Sequence, residues 1–150
     1  MSAMPRKPVR MNILSVPAHL PIVRAAAQKL CEMVGFDEDA AGGIVLSVDE
    51  ALANIIKHAY EGAQDKPIEV EMEPILNGQC QGVRITLRDY GKVVDPSQIK
   101  SRDLSDVRPG GLGVHIMTRC MDSVEYRHPR GGGTLLIMTK SVPAAVKGQP

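Results

Sequence analysis

The sequence predicts an α+β fold, a two-layer sandwich with helices on one face of a mostly antiparallel sheet. Three observations predict it. Two runs alternate apolar with polar residues and flank Asn77-Gly78, a dipeptide suited to a tight hairpin turn. Two stretches of helical apolar spacing come before them. A third helical stretch and two more short strands follow a glycine-rich segment. The 150 residues suit one domain.

Residues 1–9 carry prolines and basic residues and are expected to be a loose terminus. The folded unit is expected over 10–140, with 141–150 loose again. Val9 to Val16 holds a short apolar alternation (Val9, Met11, Ile13) and reads as an edge strand. Pro17 to Val34 reads as a helix with Leu20, Val23, Ala27 and Leu30 on one face, and Gly35 as its stop. Asp37 opens a second helix, with Glu38 and Asp39 near its positive end. That helix is expected to run to about Glu61 and to end at Gly62. In the run Ile68 to Ile75, Ile68, Val70 and Met72 alternate with glutamates; in Gln81 to Asp89, Val83, Ile85 and Leu87 alternate with Arg84, Thr86 and Arg88. One face of this hairpin therefore points to water. Lys92 to Gly110 is a long segment rich in Asp, Ser, Pro, Arg and Gly, of the length that usually serves function. Gly111 to Met121 reads as a helix, and Ser123 to Arg127 and Thr134 to Lys140 as strands joined through Pro129 to Gly133.

Composition narrows the function. The net charge of +1 argues against a generic nucleic-acid or membrane-surface binder. Aromatic residues are only 3%, too few for a base-stacking platform. No apolar run approaches the roughly 18 residues of a spanning helix, and the N-terminus lacks a signal-peptide core, so a cytoplasmic protein is expected. Cys31, Cys80 and Cys120 show no CxxC spacing and read as buried packing thiols.

Four constellations can carry chemistry. On the second helix Ile44, Val48, Leu52, Ile55 and Ala59 form one apolar stripe, and Ser47, Glu50, Asn54, Lys57, His58 and Glu61 lie on another face. Glu50 and Asn54 are four apart and so are neighbours. This face is either a solvated polar surface or a working set: a carboxylate beside an amide oxygen, followed by a cation. Such a set can bind a metal ion, take a nucleophile's proton and neutralise phosphate. Asp89-Tyr90-Gly91 ends a strand. It is either an ordinary turn or a site where Asp89 accepts from an exocyclic amine and Gly91 lets a flat ligand reach the backbone. Arg108-Pro109-Gly110-Gly111-Leu112-Gly113-Val114 is either a flexible loop with a helix start or a site where glycines before a helix free N–H groups that, with the helix dipole, favour an anion and Arg108 can fork onto a phosphate. Gly131-Gly132-Gly133-Thr134 is either a simple hairpin turn into the last strand or a turn that also offers the Thr134 hydroxyl to a neighbouring Asp. A Walker loop, a complete GxGxxG, a metal-spaced histidine set and a GxSxG elbow are all missing from the sequence.

In this order the pieces resemble a known family. Glu50-Ala-Leu-Ala-Asn54-Ile-Ile-Lys57-His58-Ala-Tyr60 is similar to its N-box, Asp89-Tyr90-Gly91 to its first glycine box, and Gly110-Gly111-Leu112-Gly113 to its second, with Gly133-Thr134 where its final threonine lies. This is the Bergerat ATP-binding fold shared by gyrase, the heat-shock chaperone, histidine kinases and mismatch-repair ATPases. Within it the chain resembles the stand-alone anti-sigma-factor serine kinases of bacterial partner switching. The resemblance implies ATP and Mg²⁺ as cofactors, with Asn54 holding the metal and Glu50 acting as general base on a protein hydroxyl. It implies that Asp89 reads the adenine amine with help from Thr134, beside Gly91. Gly110, Gly111, Leu112, Gly113 and Val114 then belong to the phosphate-binding helix start, Lys57 and His58 lie near phosphates and sugar, and 92–110 forms a lid. Arg108, from its place in that lid, is expected at the γ-phosphate. The implied partners are a sigma factor, an anti-sigma antagonist and a second copy of the chain, with no direct nucleic acid and no membrane. Val93 departs from the family's DxGxG, which stiffens the lid or alters the adenine wall. The competing reading is a nucleotide-responsive binding regulator without phosphotransfer.

Overall fold

The computed structural model describes residues 7–77, 80–93 and 116–143. Its elements are β1 (Val9–Leu14), a 3₁₀ turn (Pro17–His19), α1 (Leu20–Val34), α2 (Glu38–Asn54), a π-helical turn (Ile55–Ala59), β2 (Pro67–Asn77), β3 (Cys80–Arg88), a short helix at 116–120, β4 (Ser123–Arg127) and β5 (Leu135–Ser141). The strands form one five-stranded sheet in the order β1-β2-β3-β5-β4. Every pairing is antiparallel. The expected α+β sandwich is what forms, with β1 at one edge.

The β2–β3 register follows from the alternation. Val70 pairs with Leu87 and Met72 with Ile85, which puts Ile68, Val70, Met72, Val83, Ile85 and Leu87 on the buried face. The other face carries the charges, including Arg10–Glu71 at 3.0 Å and Arg84–Glu73 at 3.4 Å. A one-residue slip would exchange these faces, so burial pins the register. Pairing continues to Asn77 and Cys80, and the turn between them lies outside the described residues.

The helices cover the buried face. α1 contributes Val23, Ala27, Leu30, Cys31 and Val34; α2 contributes Ala41, Ile44, Val45, Val48, Ala51 and Leu52. Gly35 ends α1 in the left-handed region, at φ 107°, and its N–H donates to the Cys31 carbonyl at 3.1 Å. The Asp37 carboxylate caps α2 by accepting from the Ala40 N–H at 2.8 Å. Burial pushes the Cys31 thiol up to about 12, as expected of a packing cysteine. Cys120 is only half-buried, and the Cys80 side chain lies outside the description.

Two boundaries differ from the sequence reading. The first helix begins as a 3₁₀ turn over Pro17–His19, and its α ladder starts only at Leu20. The second keeps α geometry only to Asn54 and then widens, so that the Tyr60 N–H reaches the Ile55 carbonyl at 3.0 Å. Glu61 (φ 51°) and Gly62 (φ 86°) then turn the chain away, so the stop falls where it was expected. The wide turn preserves the apolar stripe, which is why periodicity alone does not reveal it.

The β4–β5 connection carries Gly133 at φ 69°, where an added Cβ would lie 2.1 Å from the Asp89 carbonyl oxygen. Gly133→Ala is therefore expected to destabilise the protein by about 1–3 kcal/mol. A lower urea midpoint with an unchanged m-value checks this.

Candidate functional site

α2 and its π-helical end form one wall of a cleft. Asp89 and Lys92, just after β3, meet Thr134 and Leu136 of the β5 strand region, and Met117 and Tyr126 close the far side. Asn54, Ile55, His58 and Ala59 come from the helical wall. The cleft encloses about 50 Å³ and is open to solvent at its mouth.

Asn54 is 9% exposed, and neither its Nδ2 nor its Oδ1 has a hydrogen-bond partner among the described residues. Leaving a buried polar group unsatisfied costs about 1–3 kcal/mol. An amide that lines a cleft in this state has its NH₂ donors and its acceptor oxygen available to a ligand. Ser47, expected on the same face, is instead fully buried and donates to the Gly43 carbonyl at 2.8 Å. It belongs to the packing of α2.

Asp89 is 3% exposed, and its Oδ1 accepts from the Gly91 N–H at 3.0 Å. Its backbone exchanges hydrogen bonds with Thr134, at 3.0 and 3.3 Å. Burial raises its carboxyl above the ordinary range, and the Gly91 and Thr134 N–H groups, Arg88 and His128 pull it part of the way back. Arg88 also donates to the Asp89 carbonyl at 2.9 Å and stacks 4.3 Å over the Tyr90 ring. The turn sits directly on the π-helical turn that follows α2. An added Cβ at Gly91 would lie 2.4 Å from the Ala59 carbonyl oxygen, and the Lys92 N–H donates to that oxygen at 2.8 Å.

The fold thus brings Asn54, His58, Asp89 and Thr134 to one cleft. Gly91 lines an adjoining pocket with Ala59, Tyr60 and Tyr90. Glu50 is half-buried one turn before Asn54 and is not part of the cleft lining; burial first, and Asp49 second, raise its carboxyl above the usual range. Lys57 is exposed and also outside the lining. The widened turn accounts for this, because it places i+4 rather than i+3 beneath Asn54. Val93 is 51% exposed and forms no part of the lining, whereas Lys92 does. Arg108, Gly110, Gly111, Leu112, Gly113 and Val114 lie outside the described residues.

Sequence reading did not single out Lys92, Met117 or Tyr126 as lining residues. Met117 was visible only as an apolar helix position, and Tyr126 only as a strand residue. All three tyrosines of the chain gather here: Tyr126 in the cleft, Tyr60 and Tyr90 at the adjoining turn. Among the described residues no three His, Cys, Asp or Glu side chains gather to hold a metal by themselves. No helix there is long and apolar enough to cross a membrane.

Residues 13–140 match the histidine kinase-like ATPase domain family. The serine-protein kinase RsbW of Listeria innocua is 25% identical over 139 residues, which cover 89% of this chain and 87% of that protein. The serine/threonine-protein kinase BtrW of Bordetella bronchiseptica is 31% identical over 104 residues, covering 67% of this chain and 70% of that protein. The solved RsbU and RsbW domains of a Mycobacterium tuberculosis protein share the fold, with a TM-score of 0.62 at 20% identity. That superposition covers 93% of this chain and 34% of the other, so the chain spans about a third of its length. With the match running from within β1 almost to the end of β5, the chain belongs to the histidine kinase-like ATPase domain family.

Proposed function

We propose that the protein is an ATP-dependent serine/threonine-protein kinase and anti-sigma factor, which binds a sigma factor and phosphorylates a small anti-sigma antagonist. The observation that carries this reading is the Asn54 amide, buried without a partner among the described residues in a cleft that also holds the Asp89 carboxylate. The names of the related kinases support it. The reading takes residues 10–140 as the catalytic unit and places it in the cytoplasm as a homodimer.

The donor set fits the nucleotide. Asp89 is a buried acceptor for the adenine amine, and Thr134 stands beside it. Asn54 offers a hard oxygen that would help hold Mg²⁺, and the ion would supply charge neutralisation at the phosphates. A site with so few protein ligands suits this ion, which commonly shares its coordination with phosphates. His58 and Lys57 follow on the phosphate and sugar side. Gly91 keeps the base wall close, while Arg108 and the run from Gly110 to Val114 are assigned to the lid and the phosphates. In the transfer step the substrate hydroxyl oxygen bonds to the γ-phosphorus, the bond to the β–γ bridging oxygen breaks, and ADP leaves. Glu50 takes the hydroxyl proton.

Calorimetry with Mg-ATP and label transfer from γ-labelled ATP to a serine-bearing antagonist test the reading. Asn54→Ala is expected to weaken Mg-ATP binding at least about tenfold, as loss of a charge-assisted contact does. The thermal midpoint of the nucleotide-free variant should stand at or above that of the native chain, because the deleted amide has no partner to lose. A variant that binds ATP normally and melts lower would sink the assignment. One observation favours a second reading, a nucleotide-responsive regulator without phosphotransfer: Glu50 stands outside the cleft lining. Binding of ATP without label transfer to any antagonist would select it.

A further inference from the structure

Tyr60 takes no part in the roles assigned above, yet its hydroxyl is fully used. The ring is 8% exposed. The hydroxyl donates to the Pro67 carbonyl at 2.5 Å and accepts from the Tyr90 N–H at 2.8 Å. It therefore ties the start of β2 and the turn after β3 to the π-helical end of the long helix. Two further contacts press on that turn. The Lys92 N–H donates to the Ala59 carbonyl, and an added Cβ at Gly91 would stand 2.8 Å from Tyr60 Cδ1. Asp89 has one carboxylate oxygen on the Gly91 N–H. The place of that carboxylate thus follows the backbone of residues 90–92, and this backbone rests on Tyr60. The π turn is what permits the arrangement, since an α-helical ending would rotate residue 60 away from Pro67 and Tyr90.

We propose that Tyr60 is a positioning residue that sets the Asp89 carboxylate for base recognition and so helps the protein prefer adenine to a 6-oxopurine. This rests on the nucleotide reading above. Burial holds the phenol above its usual pKa, so it stays a neutral hydroxyl able both to donate and to accept. Without the hydroxyl the Tyr90 N–H loses its acceptor and the turn visits other arrangements. Apparent affinity then falls by the fraction of molecules in the competent one.

The test is Tyr60→Phe, which keeps the ring and removes only the oxygen. Calorimetry compares Mg-ATP with Mg-ITP, whose base lacks the exocyclic amine, and amide hydrogen exchange is followed at Tyr90 without nucleotide. ATP affinity is expected to fall about threefold to tenfold, the population shift that one hydrogen bond produces, and ITP affinity to change much less. The phosphoryl-transfer rate at saturating ATP should be unchanged. Tyr90 exchange should accelerate while the β2–β3 ladder amides of Glu71 and Thr86 keep their protection. Equal losses for ATP and ITP, or unaltered Tyr90 exchange, overturn the proposal. A native chain that binds neither nucleotide overturns the nucleotide reading and the proposal together, and that absence of binding separates it from failure of the proposal alone.

Discussion

Asp89→Asn is expected to weaken Mg-ATP binding about 10- to 150-fold, from loss of a hydrogen bond to a charged acceptor worth about 1.5–3 kcal/mol. The amide keeps an oxygen for the Gly91 N–H, which Oδ1 holds in the native chain. Its NH₂ group then faces the cleft, where donor meets donor at the adenine amine. Stability should move the other way. Burial raises the folded-state pKa of Asp89 above its ordinary value. The stability it contributes is therefore complete below the ordinary carboxylate pKa and is lost as pH rises through the raised one. At neutral pH the ionised group is a net cost, which the amide removes. The nucleotide-free variant should unfold at or above the native midpoint at neutral pH, and the advantage should shrink in acid. Calorimetric titration and thermal denaturation check both halves. Unchanged ATP affinity would remove Asp89 from the site.

Glu50→Gln is expected to slow phosphoryl transfer about 10²–10⁴-fold, the usual contribution of a positioned base, with little change in ATP affinity. The base acts in its ionised form. Burial, and then Asp49, raise the pKa of Glu50. Activity should therefore fall as pH drops through a value above the ordinary glutamate pKa, and the residual activity of the Gln variant should lack that acid limb. Single-turnover transfer measured across pH decides the matter. Transfer at the native rate would assign the proton to another group and strengthen the regulator reading.

The sheet was legible in the sequence because its physics is local. The Ile68–Met72 and Val83–Leu87 alternations set the faces, and Gly35 and Asp37 marked the helix ends through a positive φ and a cap. Strand order was less accessible. β4 and β5 both alternate, and nothing in either tells that β5, with buried Leu136 and Met138, joins β3 while β4 takes the edge. Asn54, His58, Asp89 and Thr134 were candidates because amide, imidazole, carboxylate and hydroxyl are unusual where they stand. Their meeting in one cleft is a tertiary fact. The π turn escaped because the apolar stripe runs through it unbroken, and with it went the distinction between His58 in the cleft and Lys57 outside. Ser47 misled because a hydroxyl can satisfy itself on its own helix, here at the Gly43 carbonyl, and so occupy a buried position.

The chain has no tryptophan, and its three tyrosines stand in or beside the cleft. Its intrinsic fluorescence is therefore local. Excited above the phenylalanine band, phenol emission reports on the cleft and its turn, while the aliphatic, methionine and Phe36 part of the core stays dark. A ligand that enters should change the quantum yield without any attached dye. An unfolding curve followed by emission should register opening of this corner ahead of, or together with, loss of ellipticity from the sheet.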